Sequence, residues 1–236
     1  MEREQVCVVT GASTGIGHAV ARRLADQGHP VIAIGRNQAN LEQLARTNVR
    51  IDPFVLDLRD DSAILAFIDY VTKRHAGVGA LVHSAGVYFS GSCLEMPVAD
   101  FDEMYFANVR APYQLTQHLL PLLEHAKGWV IFMNSSVGIQ ARANVGGFSA
   151  TQHALRAIAN SLRDEVNHKG IRVLSIYPGR TNTLRIERVF ASESRSYQPE
   201  LLLQPDDVAT MVTNALSLAS TAEMTDVHIR PARNFQ

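Results

Sequence analysis

Short apolar runs of strand length alternate with longer segments of helical periodicity, and this alternation constrains the fold more than any other feature of the chain. Seven runs predict strands at residues 6–9, 31–34, 51–56, 80–83, 129–133, 171–177 and 227–229. The segments between them predict helices at 15–27, 41–46, 62–75, 101–123, 148–167 and 205–218. Most runs are continuously apolar, which is typical of parallel strands covered on both faces. The sequence therefore predicts an α/β fold, a single doubly wound parallel β-sheet with helices on both faces.

Composition excludes several classes of protein. Of the 236 residues, 46% are hydrophobic and 19% are charged, and there are 15 glycines and 9 prolines. Such a chain can bury a sizeable core, and it is neither disordered nor collagen-like. The formal net charge of −1 gives no electrostatic basis for binding nucleic acid or an anionic membrane, so we expect neither as a partner.

The organisation of the chain favours one domain over residues 1–236, because no linker, repeat or low-complexity tract interrupts it. Two features predict local irregularity. Pro112 predicts a break in the helix at 101–123, and residues 180–204 are the least regular stretch. That stretch is interpreted either as a mobile substrate flap or as a solvated connection.

We expect a cytoplasmic location. The chain has two cysteines, Cys7 and Cys93, which favours a reducing compartment. It has no apolar run near the roughly 20 residues of a membrane span. The charged N-terminus, Met1 to Gln5, leads straight into a strand and does not resemble a signal peptide.

A glycine-rich turn joins the first predicted strand to the first helix. Residues 10–17 read Thr-Gly-Ala-Ser-Thr-Gly-Ile-Gly. Gly11 suits the tight turn, Gly15 lets the backbone approach a pyrophosphate, and Gly17 allows close packing of the helix on the sheet. The helix N-terminus then offers free N–H groups and its positive dipole end to phosphate, with Ser13 and Ile16 beside it. The turn predicts a dinucleotide site; the alternative is a tight turn without a ligand.

The spacing Thr-Gly-x-x-x-Gly-x-Gly resembles that of the short-chain dehydrogenase/reductase family, and the resemblance covers nearly the whole chain. The matching segments beyond the turn are Asp57-Leu58, residues 83–86 (His-Ser-Ala-Gly for the family's Asn-Asn-Ala-Gly), Asn108, Pro178-Gly179, Thr183 and residues 225–231. The resemblance implies a Rossmann-like fold, a small-molecule substrate and a homo-oligomer, either dimer or tetramer. It also implies cofactor contacts from these segments: Asp57 and Leu58 to adenine, Ser84, Ala85 and Gly86 along the cofactor, and Pro178, Gly179 and Thr183 beside the nicotinamide.

The end of the second strand bears on the choice of cofactor. An acidic residue there would hydrogen-bond the ribose of NAD, whereas an arginine can pair with the 2′-phosphate of NADP. This chain has Gly35 at the acid's position and Arg36 after it, which favours NADP(H) over NAD(H). The alternative is that Arg36 is only a surface residue at the entry to a helix.

The family's catalytic residues are a serine, a tyrosine and a lysine, supported by an asparagine. Tyrosine exchanges a proton with the substrate oxygen, serine holds that oxygen, and lysine binds ribose and favours the tyrosinate. This help is needed because the pKa of an isolated tyrosine is about 10. The resemblance puts Asn108 at the asparagine position and Ser135 at the serine position, with Ser136 as the alternative if the loop is one residue shorter.

The tyrosine and lysine positions hold Phe148 and Gln152, which share a helix face as the family's pair does. Phe148 can neither donate nor accept a proton. Gln152 can hydrogen-bond ribose hydroxyls but supplies no charge. The resemblance therefore predicts an atypical active site.

Four interpretations of this site stay open. The first is an oxidoreductase that reduces an activated C=O, C=N or C=C bond with another proton donor. Tyr88 is a candidate donor or else a wall of the pocket, and weaker candidates are ordered water, His83, His153 and Tyr177. The others are a non-redox enzyme that binds substrate through Ser135 and Asn108, an NADP(H)-binding regulatory or partner subunit, and a deliberately inactivated variant.

No metal site is expected. The nine histidines show no ligand spacing. Asp100, Asp102 and Glu103 form an acidic group, but acids favour helix N-termini, so these residues indicate a solvated helix start.

Overall fold

Seven strands form one parallel sheet in the computed structural model, which describes residues 4–233. The strands are β1 (Val6–Thr10), β2 (Val31–Gly35), β3 (Ile51–Val55), β4 (Val78–His83), β5 (Trp129–Met133), β6 (Arg172–Pro178) and β7 (Asp226–Ile229). Their order is β3-β2-β1-β4-β5-β6-β7, and every neighbouring pair is parallel. The predicted doubly wound sheet is confirmed, with its order reversing between β1 and β4. Residues 1–3 of the charged N-terminus and 234–236 of the expected domain lie outside the described residues.

Eight α-helices cover the two faces of this sheet in the described chain. They are α1 (Gly15–Asp26), α2 (Gln38–Thr47), α3 (Asp61–Arg74), α4 (Val98–Tyr105), α5 (Ala111–Ala126), α6 (Gly146–Val166), α7 (Leu184–Ser192) and α8 (Pro205–Leu216). Helices α1, α2 and α8 contribute to the core on one face, and α3, α5 and α6 to the core on the other. Alternate residues of β1 serve the two cores: Cys7 faces the first and Val8 the second. No helix within residues 4–233 combines the length and apolar character needed to cross a membrane.

Side-chain caps explain where two helices start. Helix α2 begins at Gln38, three residues before the predicted start, because the Asn37 side chain accepts a hydrogen bond from the Asn40 N–H at 3.0 Å. Helix α3 begins after Asp60, whose carboxylate accepts hydrogen bonds from the N–H groups of Ser62 and Ala63 at 2.9 and 3.1 Å. These polar capping residues lie outside the apolar periodicity, which is why the pattern alone missed the true helix ends.

The helix predicted at 101–123 is three pieces. Helix α4 passes into a π-helical turn at Phe106–Arg110, and α5 follows from Ala111. The irregularity predicted near Pro112 therefore exists but lies just before the proline. Pro112 has no N–H to give to the carbonyl four residues earlier, and the wider turn accommodates that missing hydrogen bond. The turn has Asn108 at its centre.

The prediction of an irregular stretch over residues 180–204 is wrong in its first half, where α7 forms. The Thr183 side chain caps this helix by accepting a hydrogen bond from the Ile186 N–H at 3.3 Å, and Val189 and Phe190 are buried beneath it. A short helix with two buried apolar residues among charged ones gives little periodic signal. The ends of the stretch are joined, since the Asn182 N–H donates to the Leu203 carbonyl at 2.7 Å.

Helix α1 starts directly against the end of β1. A Cβ on Gly17 would lie 2.5 Å from the Gly11 carbonyl oxygen and 3.0 Å from that of Thr10. No ordinary side chain tolerates such contacts, so only glycine lets the helix come this close. The approach brings the N-terminus of α1 to the carboxyl edge of the sheet.

Substituting Gly17 by alanine should destabilise the fold. The added methyl group meets backbone rather than a flexible side chain, and forced overpacking costs about 1–3 kcal/mol. A chain of this size loses about 2–4 °C of Tm per kcal/mol. The matched control is Gly146→Ala at the start of α6, where a Cβ has no neighbour within 4 Å. Thermal unfolding followed by circular dichroism measures both; equal Tm values for the two variants would contradict the packing argument.

Candidate active site

One cavity of about 700 Å³ lies at the carboxyl ends of the strands. It brings together all the residues that the sequence proposed for cofactor binding and the main candidates for catalysis: Gly11, Ser13, Gly15, Ile16, Gly17, Arg36, Asp57, Leu58, Ser84, Ala85, Gly86, Tyr88, Asn108, Ser135, Phe148, Gln152, Pro178, Gly179 and Thr183. The alternative serine, Ser136, also lines it. Within the described chain, the weaker proton-donor candidates His83, His153 and Tyr177 are not among the lining residues.

The glycine turn presents backbone N–H groups to this cavity. Gly15, the first residue of α1, has a φ of +59°, a conformation that favours glycine. Thr14 precedes it in an extended conformation, and its side chain makes no capping hydrogen bond. The first N–H groups of α1 and the positive end of its dipole are thus available to an anion. Gly35 lies opposite the turn, and a Cβ there would meet the Ser13 hydroxyl at 2.9 Å, which explains why no side chain stands at this position.

An ion pair lies at the end of the cavity that contains Arg36. The Arg59 guanidinium contacts the Asp57 carboxylate, with Nε–O distances of 3.0 and 3.1 Å and an Nη2–O distance of 2.6 Å. These hydrogen bonds from Arg59 hold the pKa of Asp57 below its ordinary value. Arg59 also lies 3.3 Å from Glu103. The sequence reasoning missed Arg59, although its position two residues after Asp57 was a usable signal.

Asn108 uses its side chain inside the protein. Its Oδ1 accepts a hydrogen bond from the Val87 N–H at 2.7 Å, and its Nδ2 donates to the Val87 carbonyl at 2.9 Å and to the Thr151 hydroxyl at 3.2 Å. The side chain is buried in the π-helical turn. Asn108 therefore joins the loop after β4 to helix α6 and fixes the loop that carries Tyr88.

Ser135 and Gln152 have side-chain donor groups that lack hydrogen-bond acceptors among residues 4–233. The Ser135 oxygen accepts a long hydrogen bond from the Val137 N–H at 3.4 Å, and its O–H finds no acceptor among residues 4–233. Gln152 is 4% exposed, yet its side-chain amide makes no hydrogen bond to the described part of the chain. Both groups are free to bind a ligand in the cavity.

Phe148 and Tyr88 form an aromatic wall. Their ring centroids lie 5.0 Å apart with an interplanar angle of 74°, an edge-to-face contact. Phe148 is nearly buried and Tyr88 is partly exposed. The wall joins helix α6 to the loop after β4, so it closes the side of the cavity near Ser135.

Arginines complete the cavity, and the sequence reasoning missed them. Arg185 of α7 donates a hydrogen bond across the cavity to the Gly86 carbonyl. Arg142, in the loop before α6, also lines the cavity. Arg180 makes an ion pair with Glu193, with two Nη2–O distances of 2.7 Å. Isolated arginines carry no spacing signal, so only the fold could bring these three to the site. Among residues 4–233, no three His, Cys, Asp or Glu side chains gather as metal ligands would.

The chain is similar in sequence to a known family of proteins. The profile of the family described as short chain dehydrogenase matches residues 5–194. An uncharacterised short-chain type dehydrogenase/reductase from Sinorhizobium fredii is 33% identical over 98% of this chain and 93% of its own length. This chain belongs to the short-chain dehydrogenase family, a family of oxidoreductases.

Two solved structures are similar over almost their whole length. A metagenomic short-chain oxidoreductase in complex with NADP is 29% identical, with a TM-score of 0.83 and 98% of each chain covered. A protein from Shigella flexneri described as a short chain dehydrogenase, also complexed with NADP, is 29% identical, with a TM-score of 0.88 and 96% of each chain covered.

Behind the cavity, His83 is buried at the end of β4. Its Nε2 lies 2.8 Å from the Thr116 hydroxyl, and its ring stacks on Phe132 with centroids 5.0 Å apart. Burial lowers its pKa to about 3, so the ring is neutral in the folded protein near pH 7. His83 is thus a structural residue in this arrangement and cannot act there as a cationic acid.

His83 should make the protein less stable in mild acid. The unfolded chain binds a proton at this histidine below about pH 6.5, whereas the folded chain does not until near pH 3. The free energy of unfolding should therefore fall as the pH decreases through 6.5, with a slope approaching about 1.4 kcal/mol per pH unit from this residue. His83→Asn should remove that slope, whereas His118→Asn, at an exposed position of α5, should keep it. Urea unfolding at several pH values measures the difference, and parallel curves for wild type and His83→Asn would refute it.

Proposed function

We propose that this protein is an NADP(H)-dependent oxidoreductase with an atypical active site, which reduces an activated C=O, C=N or C=C bond without the tyrosine acid of its family. The observation that carries the proposal is a single cavity that holds both an uncapped helix N-terminus and the unpaired polar groups of Ser135 and Gln152. We assign Phe148 to the tyrosine position of the family and Gln152 to the lysine position.

The cavity residues fit a dinucleotide. The first N–H groups of α1 suit the pyrophosphate. The Gln152 amide has no partner in the described protein and lines the cavity, and ribose hydroxyls can donate to it and accept from it. We assign the adenine to the surface beside Asp57 and Leu58, and the nicotinamide to the surface formed by Pro178, Gly179 and Thr183.

Arg36 supports NADP(H) over NAD(H). Its guanidinium lines the cavity, and no acidic side chain lies within ion-pair distance of it in the described chain. The acid that faces it electrostatically, Asp57, is already paired with Arg59. A 2′-phosphate would find an unpaired cation here, whereas a ribose hydroxyl would find no free carboxylate. The two NADP complexes described above agree with this preference.

When bound, the nicotinamide supplies or accepts the hydride. The Ser135 hydroxyl donates a hydrogen bond to the substrate oxygen, since its O–H has no acceptor in the described protein. Phe148 excludes water from the reacting bond. The Tyr88 hydroxyl gives the proton that the substrate oxygen needs and recovers it from solvent, to which Tyr88 is partly open. Asn108 acts only as a positioning residue because its amide is consumed by Val87 and Thr151.

The absence of a lysine beside the proton donor explains the requirement for an activated bond. A positioned acid or base contributes about 10²- to 10⁴-fold, and an imine, enone or electron-poor carbonyl needs less of this help. An unactivated ketone would react slowly in this site.

We further propose a homo-oligomer, dimer or tetramer, in the cytoplasm. Exposed aromatic side chains on the face formed by α4, the π-helical turn and α5 support self-association, namely Phe101, Tyr105, Phe106 and Tyr113. The two cysteines, Cys7 and Cys93, are both free, which agrees with a reducing compartment.

Replacing Arg36 tests the choice of cofactor. Arg36→Gln should raise the Kd for NADPH about 10- to 100-fold, because one charge-assisted contact to the 2′-phosphate is lost, and should leave the Kd for NADH unchanged. Arg46→Gln, at an exposed position of α2 outside the cavity, is the matched control. Isothermal titration calorimetry measures both constants. Equal weakening for the two cofactors would show that Arg36 does not read the phosphate.

Restoring the family's residues tests the atypical site. With the double variant Phe148→Tyr, Gln152→Lys, we expect reduction of simple ketones to rise, because the phenol and ammonium together supply the missing acid. Tyr88→Phe in the otherwise native chain should lower kcat for activated substrates about 10²-fold or more, with the Kd for NADPH unchanged.

The assay is NADPH oxidation across carbonyl, imine and enone panels, with calorimetry of NADPH binding as the control. Binding of NADPH by the native chain without oxidation in any panel would reject the proposed activity and favour a non-redox role. An unchanged kcat in Tyr88→Phe would reject only the assignment of the proton donor.

A further inference from the structure

Besides Arg36, two of the arginines in the cavity have no acidic partner. The charged side chains that line it are Arg36, Asp57, Arg59, Arg142, Arg180, Arg185 and Glu193. Both acids are already engaged, Asp57 with Arg59 and Glu193 with Arg180. Arg142 and Arg185 make no ion pair with any group in residues 4–233, and the hydrogen bond of Arg185 goes to the neutral carbonyl of Gly86. The cavity therefore holds a surplus of positive charge.

This surplus lies far from the residues assigned to the 2′-phosphate. Arg36 follows β2, whereas Arg142 lies in the connection after β5 and Arg185 in the connection after β6. In the sheet order, β5 and β6 are three and four positions from β2. At about 4.8 Å per strand, they are roughly 14 and 19 Å away. Arg142 lies in the same connection as Ser135, and the Arg185 guanidinium reaches the loop after β4, at Gly86.

Both arginines belong to the wall around the reacting bond. The contact of Arg185 with Gly86 holds its guanidinium at the loop after β4, two residues before Tyr88. The loop that carries Arg142 is tied to the same β4 loop, because the Gly91 N–H donates to the Asn144 carbonyl at 2.8 Å. Tyr88 in turn contacts Phe148. A substrate held at Ser135 would be enclosed by these two loops.

We propose that Arg142 and Arg185 bind a carboxylate of the substrate, which makes the substrate class a small oxo acid, or the corresponding hydroxy acid in the reverse direction. A guanidinium has five N–H donors in a planar fork that matches a carboxylate. One donor of Arg185 is used by Gly86, which leaves others for a ligand. The inference rests on the proposed oxidoreductase function and adds the identity of the group that is recognised.

The reaction balances without a further reactant. The carbonyl carbon gains a hydride from NADPH, the carbonyl oxygen gains a proton, and the products are the hydroxy acid and NADP⁺. The carboxylate takes no part in the bond changes. Its contacts with the two arginines orient the carbonyl towards Ser135.

The test uses the full-length protein with saturating NADPH and pairs of probes, each a 2-, 3- or 4-oxo acid and its neutral methyl ester. Arg185→Gln and Arg142→Gln should each raise KM for the oxo acid about 10- to 100-fold, with little change in KM for the ester. The control is Arg188→Gln, on the same helix as Arg185 but outside the cavity lining. Equal effects on acid and ester would overturn the proposal.

Two further measurements separate this inference from its competitors. Calorimetry measures the binding of the oxo acid to the NADP⁺ complex, and therefore detects the carboxylate site even if no turnover occurs. A failure of the oxidoreductase proposal can thus be distinguished from a failure of the carboxylate assignment. NADPH titration without substrate should give the same Kd for wild type, Arg142→Gln and Arg185→Gln. If either variant weakens NADPH instead, that arginine serves the cofactor pyrophosphate and the proposal fails. Tighter binding of a phosphorylated hydroxyketone than of any oxo acid would also overturn the carboxylate assignment.

Discussion

The parallel pairing of the strands is the constraint on which the site depends. Each crossover returns the chain to the same end of the sheet, so the carboxyl ends of β1, β4, β5 and β6 open into one cavity. Strand spacing then makes neighbours of residues that are far apart in sequence, such as Gly11 and Ala85. A Cβ on Gly11 would lie 2.7 Å from the Ala85 nitrogen. The glycines of the first turn are therefore required by the protein's own backbone before any ligand is considered.

Hydrogen bonding divides the site into groups that hold the protein and groups that face a ligand. The Asn108 amide oxygen and nitrogen are both hydrogen-bonded within the protein, to Val87 and to Thr151. The Thr10 hydroxyl accepts hydrogen bonds from the N–H groups of Ser84 and Ala85 at 3.1 Å. These contacts fix the loop after β4. Gln152 as a whole residue is as deeply buried, but its amide makes no hydrogen bond to the described protein and opens on the cavity, where water or a ligand can bind it. The same side-chain amide group thus supports the protein's own loop in Asn108 and remains available to a ligand in Gln152.

Some parts of this structure could be predicted from sequence because they depend on local patterns. Most of the strands are continuous apolar runs, as burial on both faces requires, whereas the edge strands β3 and β7 contain exposed polar residues. Helix α7 could not be predicted, since two buried residues, Val189 and Phe190, lie among charged neighbours. The break before Pro112 was predictable in kind but not in position, because the π-helical turn lies at Phe106–Arg110, before the proline. Arg142, Arg180 and Arg185 carried no signal, because a lone arginine has the same local sequence pattern on a surface and in a site.

The sequence by itself determined the class of fold, the glycine-rich turn and the residue types at positions 148 and 152. These follow from covalent chemistry and short-range periodicity, which any window of the chain contains. Only the tertiary structure decided that Asn108 is consumed internally, that Gln152 remains unpaired and that Arg142 and Arg185 face the cavity without acidic partners. Whether a polar group is satisfied depends on atoms brought in by distant segments, and no local pattern records which atoms those will be.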